Sequence, residues 1–502
     1  MKHLHYIYTL LFAVAVLLFF GLAYPHHLHY QEQYQLFLFD SNYMWEIVRL
    51  PGGVADLLGR FCTQFFLFAW VGAFIIAILL SAVQLLTLRL FRLALPGMFI
   101  GLSFVPSFLL WLFLLDENAL LGSVWAVLLT LLASWAFDKI PSGRMQRCLL
   151  IVAVPVLYWM VGPVCILFFL LQALNEGKTI VFFALLALMP ISLAYFLPVP
   201  ANSLWYGIHY HRYPTEIPVL LWGAVLSIFL FTLIAGYKGT GKRVTSLTSH
   251  RACPLVTFLL VSLVMGLLVW QESNFKAEKV MGYDFMARHQ QWNRILETIN
   301  AEKPNNQVGV TVQNLALAMR GMLVNRLFDY NQNGIAGLLP DVQRDATSPL
   351  PTAEAFYQLG MINVAQRTVF EAQEAILDFQ KSGRCYKRLA QTNLINGSYE
   401  VARKYLMALQ KTLFYREWAN ETLSLLGNEE AIGKHPEYGR LRQLAYNEDF
   451  YFGDHVTPDM LEHLYFSNTD NRLAYEYLVA YYVLTGDRES YNKLLRHTST
   501  KQ

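Results

Sequence analysis

The chain has 502 residues, with 39 Lys and Arg against 36 Asp and Glu, so its formal net charge is +3 at pH 7. This near-neutral balance gives no electrostatic reason to expect a nucleic-acid partner. Hydrophobic residues make up 55% of the chain, which argues against a soluble protein along the whole length. The five cysteines are scattered, so they predict neither a disulfide framework nor a CxxC metal site.

The apolar residues are concentrated in the first half of the chain. Up to about Trp270 the sequence consists of apolar runs with short polar gaps, and beyond Gln271 it is rich in Arg, Glu, Gln and Asn. A membrane-spanning helix needs roughly 17–25 residues. The predicted fold class is therefore mainly α, with a polytopic membrane domain over residues 1–271 and a helical domain over residues 272–502.

The first apolar run, Tyr6–Tyr24, is long, and no small-residue cleavage site follows it. We interpret it as an uncleaved anchor.

The loop after it, residues 25–63, has its own hydrophobic spacing and a Pro-Gly-Gly break at residues 51–53. This pattern predicts two short helices at the membrane interface, with Tyr43 and Trp45 as interfacial anchors.

Eight further apolar runs predict a total of about nine spans. They are Gln64–Thr87, Pro96–Leu115, Leu120–Phe137, Cys148–Val161, Val164–Leu174, Thr179–Leu197, Pro218–Tyr237 and Pro254–Trp270. The run from Cys148 to Leu174 is divided at residues 161–163, because Pro163 is a natural helix breaker. A single kinked helix is the alternative.

Clusters of Lys and Arg set the predicted orientation, because positive residues mark cytoplasmic loops. The clusters are Lys2, Arg89 with Arg92, Lys139 with Arg144 and Arg147, and the group from Lys238 to Arg251. With nine spans, all four clusters lie on the cytoplasmic side of the membrane. The chain is then predicted to be a multi-pass protein of the inner (cytoplasmic) membrane, with a cytoplasmic N-terminus and a periplasmic C-terminal domain. Residues 25–63, 116–118 and 198–217 share the outer face.

The second half alternates helical patterns with short turns. Residues 389–409 have the spacing of a tetratricopeptide turn and second helix around Gly397, and residues 475–495 repeat this plan around Gly486. Each helix pair can bury its apolar face only by stacking on a neighbour. Residues 331–351 are rich in Gly, Pro and Asp and predict a loop.

This order of elements resembles the membrane glycosyltransferases of the GT-C superfamily. The likeness lies in one span, a long outer loop with interfacial helices and an acidic residue, a run of paired spans, and an extracytoplasmic domain. In that family the acidic residue faces the reacting centre, and here "FLFDSNYMW" places Asp40 there, without the adjacent acidic partner that many members carry. The resemblance implies transfer of a sugar or oligosaccharide from a polyprenyl-phosphate-linked donor on the outer face.

The repeats add a second likeness, to the protein O-mannosyltransferases that carry such repeats. It implies that the C-terminal domain engages an acceptor protein or an envelope partner. The membrane lipid itself is the other expected partner.

Glycosyl transfer needs a carboxylate near the acceptor proton and cations near the leaving phosphate. Asp40 suits the first role. For the donor phosphate, "WYGIHYHRYP" offers His209, His211 and Arg212, and the first loop offers Arg49. Structural interpretations compete with these roles, because Asp40 can cap the following helix and Arg212 can hold lipid head groups.

Four residues are reserve candidates on the predicted outer face. His26 and His27 follow the first span, and Asp116 with Glu117 forms an adjacent acidic pair. The alternative to a functional role is that the two histidines only lie at the membrane interface and that the acidic pair belongs to a solvated turn. The other acidic residues of the first loop, Glu32, Glu46 and Asp56, are interpreted as solvated or ion-paired.

No metal site is predicted, because no acid or Cys completes a ligand motif with these histidines. No cofactor is expected with certainty, and a divalent metal stays open.

Two other functions stay open from the sequence. One is a non-enzymatic, membrane-anchored repeat scaffold for envelope assembly, and the other is a glycan ligase or polymerase of the O-antigen type. A scaffold needs one or two anchors rather than nine, which favours the enzyme. The sequence contains no phosphate-binding loop, nucleophile elbow or HExxH. Charges are scarce within the spans, which argues against an ion-coupled transporter.

Overall fold

The computed structural model describes residues 4–91, 98–141, 144–176, 180–236, 253–341, 347–377, 380–446 and 458–499. The chain forms two compact units, Met1–Phe275 and Lys276–Gln502. Within the described ranges the regular structure is helical, and extended pairing is confined to two isolated bridges. The mainly α fold class is confirmed.

Fourteen described helices precede residue 275. They are α1 (Leu4–Leu18, continued by a π-helical turn Phe19–Ala23), α2 (Pro25–Gln33), α3 (Ser41–Val48), α4 (Gly53–Thr63), α5 (Ala69–Leu90), α6 (Met98–Leu102), α7 (Val105–Phe113), α8 (Gly122–Phe137), α9 (Arg144–Val161), α10 (Ile166–Glu176), α11 (Ile180–Leu193), α12 (Ala201–Tyr206), α13 (Val219–Gly236) and α14 (Cys253–Glu272).

Four helical stretches among the described residues are long and apolar enough to cross a membrane. They are His5–Ala23, Ala69–Leu90, Cys148–Leu174 and Cys253–Glu272. Three shorter apolar helices, Met98–Phe113, Gly122–Phe137 and Val219–Ala235, accompany them. This is short of the nine predicted spans, so the count of nine stays a prediction.

The orientation also stays a prediction. Lys2, Arg92 and the Lys and Arg group between residues 238 and 251 lie outside the described residues.

The stretch Cys148–Leu174 is broken where the sequence predicts. A 3-10 turn, Gly162–Cys165, separates α9 from α10, and Gly162 has φ +69°. The Gln172 amide of α10 lies 3.4 Å from Asp138, just before α9 begins. If α9 and α10 were one straight helix, Gln172 would lie roughly 40 Å from the start of α9. The chain from Asp138 to the start of α9 can span at most roughly 20 Å, so Asp138 could not then contact Gln172. The chain therefore reverses at the turn, although length and composition alone would treat the stretch as one span.

The helices α3 and α4 form the corner predicted around residues 51–53. Gly52 has φ +81°, a conformation that favours glycine. Its N–H donates to the Trp159 carbonyl at 2.8 Å, so the corner is fixed against the end of α9. The two short helices predicted here are confirmed.

Helix α4 packs closely on α8. A Cβ on Gly59 would lie 2.3 Å from the Gly122 nitrogen, so a larger residue would push the helices apart.

The second unit contains fourteen helices within the described ranges. They are α15 (Phe275–Arg288), α16 (Trp292–Glu302), α17 (Gln307–Met319), α18 (Leu323–Arg326), α19 (Pro349–Leu359), α20 (Ile362–Glu374), α21 (Gly383–Ile395), α22 (Tyr399–Gln410), α23 (Arg416–Leu425), α24 (Glu429–Lys434), α25 (Tyr438–Leu444), α26 (Pro458–Ser467), α27 (Arg472–Thr485) and α28 (Arg488–Ser499).

The predicted helix pairs of this unit are present. Helices α21 and α22 turn at Gly397 (φ +77°), and α27 and α28 turn at Gly486 (φ +72°). Both glycines adopt the left-handed conformation that ends many helices. Whether the pairs are tetratricopeptide repeats stays a prediction.

Candidate functional site

A short backbone pairing brings together two segments of the first unit that are distant in sequence. The Leu120 N–H donates to the Tyr210 carbonyl at 3.1 Å, and the Arg212 N–H donates to the Asn118 carbonyl at 2.9 Å. Residues 207–213, here called the histidine loop, are thereby held beside the turn that carries Asp116.

The histidine loop is also fixed to the break between α9 and α10. The buried Tyr210 hydroxyl donates to the Val161 carbonyl and accepts from the Val164 N–H at 3.2 Å. Gly207 has φ +114°, and a Cβ there would lie 1.9 Å from the Tyr210 ring. Only glycine fits at this position.

His209 lies beside a buried ion pair of α4. The Arg60 guanidinium contacts Asp56 Oδ2 at 2.8 and 2.9 Å, and His209 Nδ1 lies 3.6 Å from the same oxygen. The Asp56 and His209 side chains are 1% and 11% exposed. Burial lowers the pKa of His209 and outweighs the opposing effect of Asp56, so the ring is neutral near pH 7.

Two atoms of this group have unused hydrogen-bonding capacity. Asp56 Oδ1 and His209 Nε2 are buried and have no hydrogen-bond partner within the described part of the chain. Buried polar atoms normally have partners. The geometry therefore gives a neutral imidazole beside a carboxylate, with one buried ring nitrogen that has no partner among the described residues.

His211 forms a second His–Asp contact. His211 Nε2 lies 3.0 Å from Asp116 Oδ2, and its Nδ1 accepts from the Tyr213 N–H at 3.1 Å. The proton is therefore on Nε2 and is donated to the carboxylate. Burial raises the pKa of Asp116, but hydrogen bonds from His211 and from the Asn118 N–H outweigh it and hold that pKa below its ordinary value.

His27 of α2 is buried near the same turn. Its Nε2 lies 2.9 Å from the Leu114 carbonyl, and burial lowers its pKa to about 4. Gln31 of α2 donates to the Ala119 carbonyl at 3.2 Å, which ties the helix to this turn. The ring of His26 lies beside that of His29 instead.

Arg212 is a buried cation of a different kind. Its side chain is 5% exposed, and the guanidinium lies over the Tyr34 ring at 4.6 Å. Among the residues that the structure describes, its Nε has no hydrogen-bond partner and its guanidinium forms no ion pair. Isolated buried charges are costly, so this position suits an anionic ligand.

Asp40 caps α3. Its Oδ1 accepts from the N–H groups of Asn42 and Tyr43 at 3.1 and 3.2 Å, so the structural interpretation of Asp40 is confirmed. Arg49 is exposed at the other end of α3, and Glu117 is half-buried. The catalytic role of Asp40 stays a prediction, as does phosphate binding by Arg49.

The comparison with protein families gives one match. A model described as a family of unknown function, DUF6057, covers residues 2–502. The chain belongs to this family. No curated protein and no solved structure matches this DUF6057 chain.

The buried ion pair of α4 in this DUF6057 chain, formed by Asp56 and Arg60, was not among the predicted site residues. Asp56 was expected to be solvated or ion-paired, and it is ion-paired with Arg60. The signal in the sequence is an Asp and an Arg four residues apart on a strongly amphipathic helix. The partner His209 cannot be found by spacing, because it comes from a distant loop.

No metal centre is assigned in this DUF6057 chain. Among the described residues, no group of three or more His, Cys, Asp or Glu side chains is placed to hold a metal ion. The two His–Asp contacts instead act as separate pairs.

Proposed function

We propose that the membrane unit is a glycosyltransferase. It moves a sugar or oligosaccharide from a polyprenyl-phosphate-type donor to an acceptor on the outer face of the cytoplasmic membrane. The observation that carries the proposal is the buried guanidinium of Arg212, which has no ion pair among the described residues. An Arg fork binds phosphate by two parallel hydrogen bonds, so a phosphate of the donor would supply the missing partner.

His209 is the proton acceptor in this proposal. Its buried Nε2 has no hydrogen-bond partner among the described residues, and Asp56 lies 3.6 Å from Nδ1. A carboxylate close to one ring nitrogen stabilises the imidazolium that forms when the other nitrogen takes a proton. Asp56 is then a positioning residue.

The reaction follows from these two roles. The acceptor hydroxyl oxygen forms a bond to the anomeric carbon, and the bond from that carbon to the phosphate oxygen breaks. The hydroxyl proton passes to His209 Nε2, and the electron pair leaves with the phosphate. Arg212 stabilises the charge that develops on the departing oxygen.

The lipid donor needs an apolar approach to this site. Phe39, Trp45 and Phe61 on and beside α3 and α4 are exposed large hydrophobic residues. Exposed apolar side chains on short amphipathic helices suit a membrane interface. This supports the proposed interfacial position of the loop 25–63.

The wider organisation belongs to the same proposal. Nine spans, a cytoplasmic N-terminus and a periplasmic second unit place the site and the helical pairs on the outer face. Tetratricopeptide-like stacking would let the second unit recruit a protein acceptor or an envelope partner. A pure scaffold would leave Arg212 and His209 without ligands.

The test is donor binding by the full chain in lipid nanodiscs. Native mass spectrometry would compare retention of a long-chain polyprenyl phosphate with that of the uncharged polyprenol. We expect the phosphate to be retained and Arg212→Gln to weaken its binding by about tenfold or more, since charge-assisted hydrogen bonds contribute roughly 1.5–3 kcal/mol.

Arg89→Gln is the control, because Arg89 is an exposed arginine of the same unit. Equal retention of phosphate and polyprenol, or undiminished binding by Arg212→Gln, would refute the assignment of Arg212.

A further inference from the structure

The second unit brings several basic side chains together at one place. Five cations come together near α15, α19, α21 and α25, and they are defined here as the basic site. They are Arg288, Arg384, Lys387, Arg388 and Arg440.

Two of the five are paired with carboxylates, of which Glu354 is buried and Asp284 is partly exposed. Arg384 contacts both Asp284 oxygens at 2.6 and 2.9 Å. Arg388 contacts Glu354 at 2.5 Å and lies over the Tyr357 ring at 3.6 Å. These pairs fix α21 against α15 and α19.

The other three have no ion pair among the residues that the structure describes. Arg440 donates to the Gln358 amide at 2.8 Å, Lys387 lies over the Trp418 ring at 4.9 Å, and Arg288 lies at the end of α15. All three are half-buried. Burial, and after it the charge of Arg388, lowers the pKa of Lys387.

Glu437 is another described carboxylate that acts on these cations. Glu437 accepts from the Tyr357 hydroxyl at 2.9 Å and acts electrostatically on Lys387 and Arg440. The contacts and electrostatic interactions named here, all between described residues, join five cations to three carboxylates, Asp284, Glu354 and Glu437. Like charges held together in a partly desolvated place repel one another, so an anionic ligand would relieve the excess.

We infer that the basic site binds an acidic peptide segment of a partner protein. The three cations without an ion pair stand on three helices, α15, α21 and α25. Helix α21 packs on α25 and is joined to α15 by the Arg384–Asp284 ion pair. Packed helices lie about 8–10 Å apart, a distance that about three residues of an extended chain span at roughly 3.3 Å per residue. A single phosphate group is too compact to reach all three.

This inference does not depend on the proposed glycosyl transfer. It concerns residues 284–440, whereas the proposed transfer site lies in the first unit. A scaffold function would be equally compatible with it.

The experiment measures binding of a fluorescent peptide of alternating Glu and Ser to the full chain in nanodiscs, by anisotropy. A Gln and Ser peptide of the same length is the uncharged control, and inorganic pyrophosphate is the competitor. We expect the Glu peptide to bind, with affinity falling as salt rises. We expect Lys387→Gln and Arg440→Gln each to weaken binding about tenfold.

The matched control is Lys404→Gln, because Lys404 is an exposed lysine on α22 of the same unit. Thermal melting checks folding, and Lys387→Arg and Arg440→Lys keep the charge if a neutral variant unfolds; they should keep the salt-dependent binding. The inference is overturned if the two peptides bind equally or not at all. It is also overturned if folded Lys387→Gln and Arg440→Gln bind like the parent, or if pyrophosphate binds more tightly than the Glu peptide.

Discussion

Asp40 can be explained in two ways at the scale of a single residue. The sequence places it where GT-C enzymes carry a catalytic acid, and the structure gives it two backbone hydrogen bonds at the start of α3. A cap contributes about 1 kcal/mol to stability, whereas a missing general base costs about 10²–10⁴ in rate. The small loss of stability expected for a cap and the large loss of rate expected for a general base can therefore be distinguished with two substitutions.

If His209 is the proton acceptor, as proposed above, Asp40→Asn should keep transfer, and it should keep its stability because Asn is also a good cap. Asp40→Ala should lower the free energy of unfolding by about 1 kcal/mol. Denaturant unfolding and a transfer assay in membranes measure the two effects. A well-folded Asp40→Asn protein that has lost transfer would return the role of proton acceptor to Asp40 and remove it from His209.

His27 makes the stability of the first unit depend on pH. Its pKa is about 4 in the fold and about 6.5 in an unfolded chain. The unfolded chain therefore takes up the proton first, and stability is fully present above pH 6.5 and falls as the pH drops toward 4. The loss reaches about 3 kcal/mol.

His27→Gln should remove much of this dependence, because the Gln amide can still donate to the Leu114 carbonyl but does not titrate. Thermal melting of the nanodisc-bound protein between about pH 7 and 4 measures it. Asp116, whose pKa is held low, adds a loss at the acid end that the variant keeps. A pH dependence as steep in His27→Gln as in the parent would show that His27 is not its source.

At the scale of elements, the corner between α3 and α4 and the break after Val161 were predictable, because Pro and Gly punctuate the chain at both places. The contact between Asp56 and His209 was not. A lone Asp on an amphipathic helix has the same pattern whether it faces water or a buried partner. The tertiary pairing of residues 118–120 with 210–212 holds the loop that carries His209 in place. Nothing in the local sequence of either segment predicts this pairing.

The histidine loop should depend on Gly207. In Gly207→Ala a Cβ would meet the Tyr210 ring at 1.9 Å on a backbone with φ +114°, so we expect the unit to lose more than about 1 kcal/mol and to bind polyprenyl phosphate less well. Thermal melting and the nanodisc binding assay measure both. Gly266→Ala is the control, because a Cβ at Gly266 in α14 meets nothing within 4 Å. Equal behaviour of the two variants would show that the loop does not need this conformation.

At the scale of the whole molecule, composition predicted an apolar half and a polar half, and the structure contains two compact units, Met1–Phe275 and Lys276–Gln502. Hydropathy identifies apolar runs well, but it does not fix how many cross the bilayer, because short apolar helices can also be buried by their neighbours. The stretch Cys148–Leu174 illustrates this, since hydropathy gives one long span where the chain reverses.

The central claim is that Arg212 and His209 serve transfer from a lipid-linked donor. The most direct measurement is mass spectrometry of polyprenyl-linked glycans in cells that lack the chain and in cells that carry Arg212→Gln, His209→Gln or the control Arg89→Gln. We expect a polyprenyl-linked glycan to accumulate in the deletion and in the first two variants, and not with Arg89→Gln. Unchanged lipid-linked glycans in the deletion strain would contradict glycosyl transfer by this protein.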